Sequence, residues 1–240
     1  WDVGGVTTPP TETTAGVRTY TCRIYGCNAT RTEEIPKLAP QVPVSERFDD
    51  VDPNGWAYED IQYCVDHDLM NGTGNRTFAP KMVMTRAQMV QVLYNIVGEP
   101  AVTGETTFTD LTANWYQNAV LWAYQTGVAS GMSETTFAPD DPVTREQVTV
   151  FLAEFADRVL DKYTPYMWDA LFPFLDRESI SYYARTAMNW ACNLGLIKGI
   201  PGPGGLRLEP QSYATREQMA VILAQFCREL NVWNEPIPEL

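Results

Sequence analysis

The chain has 240 residues, 45% of them hydrophobic, and a formal net charge of −13 at pH 7. This length and composition suit one or two domains with a substantial core. An acidic chain is a poor general binder of polyanions, so we expect no nucleic-acid partner, and an anionic ligand must be held in a local pocket. No apolar run has the length of a membrane span, and Trp1-Asp2 opens no signal peptide. We therefore expect a soluble chain without membrane insertion, as a mature segment or an excised fragment.

The first 43 residues predict a linker that contains a small β-hairpin. Residues 1–16 are rich in Thr and Pro and lack periodicity, which is typical of linkers. Two β-rich runs, 18–25 and 29–35, flank Gly26-Cys27-Asn28 and indicate a hairpin within residues 17–36. Residues 36–43 are interpreted as a second linker.

The cysteine count of five leaves several arrangements open. Cys22 and Cys27 could form a small disulfide or half of a metal site. Cys64, Cys192 and Cys227 fall on apolar faces of predicted helices and are interpreted as small buried hydrophobes, although a Cys192–Cys227 bridge stays open. The pattern predicts no cofactor and no complete metal site.

One short motif, apolar-Thr-Arg-x-Gln-apolar, occurs three times and shows that the chain is repetitive. Other landmarks recur in the same order: Phe-x-Asp, a Gly in the middle of the segment, and an apolar-x-Pro step just before Thr-Arg. The third copy carries a Pro/Gly-rich insertion at 201–205, a loop by composition. The landmarks predict three repeats, at 44–102, 103–160 and 161–235.

Each repeat predicts two helices, so the expected fold is mainly α. The first helices are expected at 56–69, 115–126 and 182–194. Each second helix follows the Thr of the motif, with apolar residues at helical spacing on one face. Glycine follows each first helix, and we interpret these residues as helix C-terminal glycines. They are Gly72, Gly131 and Gly199.

The Thr-Arg-x-Gln motif predicts a capping box, in which Thr and Gln satisfy each other's backbone N–H groups. The capping box leaves the Arg unexplained, because a cation at a helix N-terminus opposes the helix dipole. One interpretation is a salt bridge to the repeat's own acid. The other is an anion site, in which Arg and the free N–H groups of the helix bind a carboxylate or phosphate. The residues concerned are Arg86, Arg145 and Arg216, with Asp50, Asp110 and Asp176 as the acids.

These motifs resemble the S-layer homology (SLH) repeat of Gram-positive bacterial cell-surface proteins, over roughly residues 47–230. The commonest form of that motif is Thr-Arg-Ala-Glu, and here its last place is Gln88, Gln147 and Gln218. The hairpin is also similar to short Cys-containing repeats of Gram-positive surface proteins, with a wider Cys spacing.

The resemblance implies a pseudo-threefold spindle of three SLH repeats around a shared helical bundle. It implies grooves between repeats that bind secondary cell-wall polysaccharide, through a terminal pyruvylated N-acetylmannosamine whose ketal supplies a carboxylate. The chain would then be a non-covalent wall anchor at the extracellular surface, with lateral contacts to other surface proteins.

The resemblance also implies site residues. The receptor arginines are Arg86, Arg145 and Arg216, and Gly72, Gly131 and Gly199 let the sugar approach the backbone. Asp50, Asp110 and Asp176 orient the arginines, accept sugar hydroxyls or serve only the structure.

Trp56 and Trp115 are candidate sugar platforms, although core packing is favoured for both. Repeat 3 lacks this Trp, has Lys198 before its Gly and carries the insertion. We therefore expect its groove to be the weakest and Arg216 to matter least for binding.

Two other functions compete with wall anchoring. An α-helical protein–protein interaction module is the alternative, with the arginines in internal salt bridges. A glycosidase using Asp49, Asp50 or Asp52 is disfavoured, because acid pairs are common by chance. The only histidine, His67, has no counterpart in the other repeats, which disfavours His-based triads and zinc sites. We therefore expect no enzyme.

Overall fold

The computed structural model describes residues 1–2, 4–9, 14–24, 26–36, 42–165 and 168–233. The chain divides into two compact parts, one covering Trp1–Arg47 and the other beginning at Phe48. Tyr25 of the predicted hairpin and most of the predicted second linker lie outside the described residues.

The N-terminal part contains a three-stranded antiparallel sheet in the order β1-β2-β3. Strand β2 (Gly16–Thr21) pairs with β3 (Thr30–Ile35) in unbroken register, which confirms the predicted hairpin. Strand β1 (Gly5–Thr8) pairs with the other edge of β2. The interpretation of 1–16 as linker was therefore wrong at this strand, whose Val and Thr residues favour extended backbone.

The N-terminal part also contains the short helix α1 (Val44–Arg47) and two of the chain's thiols. All five cysteines are free, so neither of the two disulfides that the sequence left open is formed in the structure. Cys27 hydrogen-bonds to the Cys22 side chain and lowers the pKa of the Cys22 thiol.

The second part is built from pairs of helices, and the fold is mainly α as predicted. Repeat 1 contains α2 (Tyr58–Asp66) and α3 (Arg86–Ile96), and repeat 2 contains α4 (Asn114–Thr126) and α5 (Arg145–Arg158). Repeat 3 contains α6 (Arg185–Asn193) and α7 (Arg216–Glu229), with two 3-10 turns at Arg177–Ser179 and Tyr182–Ala184. The insertion of repeat 3 forms a two-stranded ribbon, β4 (Ile200–Gly202) and β5 (Gly205–Arg207).

The helices close into a ring. Helix α4 packs on α3, α6 packs on α5, and α2 packs on α7. Each first helix thus contacts the second helix of the repeat before it in the ring, and repeat 1 follows repeat 3. The second helices line the centre, where Leu93, Leu152 and Leu223 are fully buried.

Backbone hydrogen bonds join the three repeats at the ring's pseudo-threefold axis. The N–H of Met84 donates to the carbonyl of Ala214 at 2.9 Å, and the N–H of Ala214 donates to the carbonyl of Val143 at 3.2 Å. The N–H of Val143 donates back to the carbonyl of Met84 at 2.9 Å, which closes the cycle. Each repeat therefore donates to one neighbour and accepts from the other. These residues are fully buried, so each hydrogen bond satisfies polar groups that water cannot reach.

The α2–α7 interface closes the ring between the first and last repeats. Arg228 pairs with Asp60 at 2.7 Å and stacks over Tyr63. Trp233 Nε1 donates to the Tyr63 hydroxyl at 2.9 Å, and the Cys64 thiol donates to Ala220 O at 3.4 Å. Among the described residues, no helix is long and apolar enough to cross a membrane.

We expect the three repeats to unfold in a single urea transition, because each repeat buries its apolar face on its neighbours. The fluorescence of buried Trp122 and Trp190 monitors the unfolding of repeats 2 and 3, while circular dichroism monitors the unfolding of all helices. Coincident transitions are the expected result. Separated fluorescence and circular dichroism midpoints would contradict a shared core.

Candidate functional site

The N-terminus of each second helix is fully capped. Helix α3 has the predicted capping box, Thr85 with Gln88, and α5 and α7 have the same arrangement. The two N–H groups before Gln88, those of Arg86 and Ala87, donate to the carbonyls of Asp141 and Pro139 in repeat 2. The expectation of free N–H groups for an anion was therefore wrong, because the following repeat supplies carbonyl partners.

The three motif arginines are buried and reach into the following repeat. Arg86 donates from Nε to Phe137 O and from Nη2 to Ser130 O, both at 2.9 Å. Arg216 donates in the same way to Phe78 O at 2.8 Å and to Asn71 O at 2.6 Å. The guanidinium groups of Arg86 and Arg216 thus each hold two parts of a neighbouring repeat's loop together.

Arg145 occupies the third equivalent position, with Nε donating to Leu208 O at 2.7 Å. The described residues give it no counterpart of the Nη2 hydrogen bond. All three motif arginines are at most 6% exposed. The alternative interpretation, a salt bridge to each repeat's own acid, was wrong, since no ion pair joins these arginines and acids in the described part of the chain.

The acids instead hold the turn that the arginines contact. Asp50 accepts from the N–H groups of Phe78 and Ala79, at 2.8 and 2.7 Å. Ala79 has a φ of 57°, a strained value for a residue with a side chain, and the carboxylate hydrogen bonds hold it. The equivalent acids bind their own turns in the same way. They are Asp110 in repeat 2 and Asp176 in repeat 3.

The motif arginines bring positive charge to a poorly solvated place. Burial lowers the pKa of all three, and that of Arg216 falls to about 10, which keeps it cationic at neutral pH. Arg216 also lies over the Phe78 ring, 4.6 Å from its centroid, and Arg86 lies 4.7 Å from that of Phe137. A cation in such a setting attracts an anion more strongly than one in bulk water.

The three mid-repeat glycines are required by packing. A Cβ on Gly72 would lie 2.6 Å from the Phe48 ring, and one on Gly199 would lie 2.5 Å from the Phe174 ring. Gly131 is equally crowded by Phe108. The interpretation as helix C-terminal glycines was wrong, since the helices end several residues earlier, and Gly127 caps α4 instead.

Three grooves follow from this arrangement, and each combines parts of all three repeats. We number them by the repeat that supplies the glycine loop. Each groove is lined by the glycine loop and the second helix of one repeat. The motif arginine of the previous repeat and an aromatic ring of the next repeat complete it. Groove 1 contains Gly72, Arg216 and Trp115; groove 2 contains Gly131, Arg86 and Tyr183; groove 3 contains Gly199, Arg145 and Trp56.

The aromatic rings lie open to solvent in the grooves. Trp56, Trp115 and Tyr183 are 63%, 54% and 58% exposed. The preference for core packing of the two Trp residues was therefore wrong. Repeat 3 does have an aromatic counterpart, Tyr183, which the sequence did not indicate because it is not a Trp. Its hydroxyl donates to buried Glu146 at 2.9 Å, and partial burial together with this contact raises the Tyr183 pKa to about 12.

Groove 3 differs from the other two in size. Its volume is about 190 Å³, against about 510 Å³ for groove 1 and 550 Å³ for groove 2. Lys198 and Ile200, at the start of the repeat 3 insertion, line it. Arg145 lines this altered groove, because each motif arginine reaches into the following repeat, so the assignment of Arg216 to the groove of repeat 3 was wrong.

Comparison with known proteins agrees with this threefold construction. The family model of the S-layer homology domain matches residues 47–90, 107–149 and 173–220. The surface-layer 125 kDa protein of Lysinibacillus sphaericus is 26% identical over 204 residues, which cover 85% of this chain and 17% of that protein. The S-layer protein of Bacillus licheniformis is 22% identical over 78% of this chain and 20% of its own length.

Relatives with enzyme names match over similarly small parts of their length. An endoglucanase of Bacillus sp. (strain KSM-635) is 28% identical over 74% of this chain, which spans 18% of that protein. The SLH domain itself is a cell-wall-binding module. With three tandem matches covering more than half of its length, the chain belongs to the S-layer homology family.

Proposed function

We propose that the chain is a non-covalent anchor that binds an anionic secondary cell-wall polysaccharide at the cell surface. The proposed module consists of repeats 44–102, 103–160 and 161–235. One observation carries the proposal: the same combination of buried guanidinium, glycine loop and exposed aromatic ring occurs in three grooves. Such a groove offers a cation to an acidic substituent and a flat ring to a sugar.

A terminal pyruvylated N-acetylmannosamine suits these features. Its ketal carboxylate is the anion for Arg86, Arg145 or Arg216, whose described hydrogen bonds use only part of the guanidinium's donors. Polar side chains, such as Gln88 and Asn95 in groove 1, are placed to bind hydroxyl groups. Gly72, Gly131 and Gly199 keep the loop backbone within reach of the sugar.

The opening acids have an indirect part in this proposal. Both carboxylate oxygens of Asp50, Asp110 and Asp176 accept backbone N–H groups, so these residues position the turn that holds each arginine. The proposal therefore assigns direct sugar contact to the arginines, the glycine loops, Trp56, Trp115 and Tyr183.

We expect alanine at Trp56, Trp115 or Tyr183 to weaken binding to purified wall polysaccharide by about tenfold in the groove concerned, roughly 1.4 kcal/mol. The thermal midpoint should barely change for Trp56→Ala and Trp115→Ala, because both rings are more than half exposed. Tyr183→Ala should also lower the midpoint, because it removes the hydroxyl that donates to buried Glu146. Titration calorimetry measures the binding affinity, and scanning calorimetry measures the thermal midpoint. Tyr213→Ala is the control, since Tyr213 is 53% exposed and does not line the grooves.

Removal of the ketal tests the anion. The wild-type chain should sediment with polysaccharide-bearing walls and lose most of this binding after mild acid releases the ketal. Binding that persists after ketal release would contradict the carboxylate. Binding that persists on walls stripped of the polysaccharide would favour the alternative, an α-helical protein–protein interaction module.

A further inference from the structure

A second open surface lies beside groove 2, on repeat 3. We call it the shelf and define it by Trp168, Tyr182, Arg185 and Asn189, which line a cavity of about 560 Å³. Trp168 is 80% exposed and Tyr182 is 98% exposed. Two large rings so open to water are costly in a free protein and are typical of a binding surface. Neither is needed for the threefold fold.

The backbone that carries Trp168 is held in place by helix α6. The carbonyl of Trp168 accepts from the side-chain amides of Asn189 and Asn193, each at 3.1 Å. The Asn189 side chain also accepts from the N–H of Ala170 at 2.9 Å. The Trp168 ring is thus presented from a fixed backbone, which reduces the entropic cost of binding.

The shelf is continuous with groove 2 through one residue. Tyr183 lines both, and Glu146 fixes its hydroxyl. Two charged side chains, Arg185 and Asp169, line the shelf, so it offers both a donor and an acceptor of hydrogen bonds to sugar hydroxyl groups.

We propose that the shelf binds the sugar residues that follow the terminal one in groove 2. This inference rests on the proposed function and extends it from a terminal sugar to a length of polysaccharide. The polymer leaves groove 2 over Tyr183, and its next sugars pack on Trp168 and Tyr182. Arg185 and Asp169 bind hydroxyl groups of these sugars. Among the residues that the structure describes, the linings of grooves 1 and 3 include no counterpart of these shelf residues, so the extension belongs to groove 2.

The test compares two lengths of one ligand. The double variant Trp168→Ala/Tyr182→Ala and the wild-type chain are titrated with whole wall polysaccharide and with its terminal repeating unit, released by partial hydrolysis. We expect the variant to bind the whole polysaccharide about tenfold more weakly and the terminal unit as the wild type does. Tyr213→Ala, exposed and distant in sequence from the shelf, is the control.

The outcomes separate the two proposals. Equal binding of the whole polymer by variant and wild type overturns the shelf but leaves the anchoring function intact. Loss of binding to the terminal unit as well shows that the rings support groove 2, which also overturns the shelf. If the wild type binds neither ligand, both the proposed anchoring function and the proposed role of the shelf are wrong. A concentration-dependent dimer that the variant abolishes, with unchanged polymer binding, assigns the rings to self-association instead.

Discussion

Replacing Arg216 with alanine is expected to lower the free energy of unfolding by about 4 kcal/mol, because the carbonyls of Asn71 and Phe78 both lose their donor. The buried carbonyl of Phe78 left unpaired costs about 1–3 kcal/mol, the carbonyl of exposed Asn71 costs less, and the lost packing of the buried arginine adds to both. Arg86→Ala should lower the free energy of unfolding by about as much. Arg145→Ala should lower it by somewhat less, about 3 kcal/mol, since its described hydrogen bonds include one carbonyl. Urea denaturation of the three variants measures the series.

Two further substitutions control this result. Arg158 forms an exposed pair with Glu154, one helical turn away, so Arg158→Ala should cost less than about 0.5 kcal/mol. Arg216→Lys should recover only part of the stability, because an ammonium cannot present a planar fork to both carbonyls. An unchanged unfolding midpoint for Arg216→Ala, together with abolished polysaccharide binding, would show that the guanidinium serves the ligand alone.

Gly131→Ala is expected to lower the thermal midpoint by about 10 °C, the equivalent of about 3 kcal/mol. The new Cβ would overlap the Phe108 ring and the carbonyl of Ser133, and would lie 2.7 Å from that of Thr136. The Thr136 carbonyl cannot move freely, because it accepts from the N–H of Met132 at 2.8 Å. Scanning calorimetry measures the shift.

Gly74→Ala is the matched control for this change. A Cβ on Gly74 meets nothing within 4 Å, so the substitution should leave the midpoint nearly unchanged. Equal shifts for Gly74→Ala and Gly131→Ala would mean that the loss of glycine flexibility, and not the crowding by Phe108, sets the cost.

The sequence predicted those features that depend on neighbours along the chain. The capping box at Thr144 and Gln147 needs only a four-residue segment, and the structure contains it. The apolar face of α5 is set by helical spacing, so the burial of Val148, Leu152 and Phe155 also followed from the pattern. Repetition of these signals three times made the fold class predictable.

The features that failed depend on neighbours across the ring. The partner of Arg86 is a carbonyl in repeat 2, and nothing near Arg86 in sequence indicates it. Trp56 looked like a core residue because a large apolar ring is usually buried, yet it lies open beside the last repeat's helix α7 in groove 3. A backbone carbonyl leaves no mark in a sequence, so the interpretations considered only carboxylates.

The closure of the ring has a consequence for its internal motions. A chain segment connects α3 to α4 and another connects α5 to α6, whereas α2 and α7 meet only through non-covalent contacts such as Arg228–Asp60. Opening at this seam needs no rupture of the chain, so amide hydrogens along it should exchange earliest in the native state. Grooves 1 and 3 depend on contacts across the seam, since Arg216 of repeat 3 lines groove 1 and Trp56 of repeat 1 lines groove 3, so both would come apart with it. Groove 2 is built on the interfaces of repeat 2 with repeats 1 and 3, which stay closed while the seam opens. It would therefore remain able to bind ligand during such fluctuations.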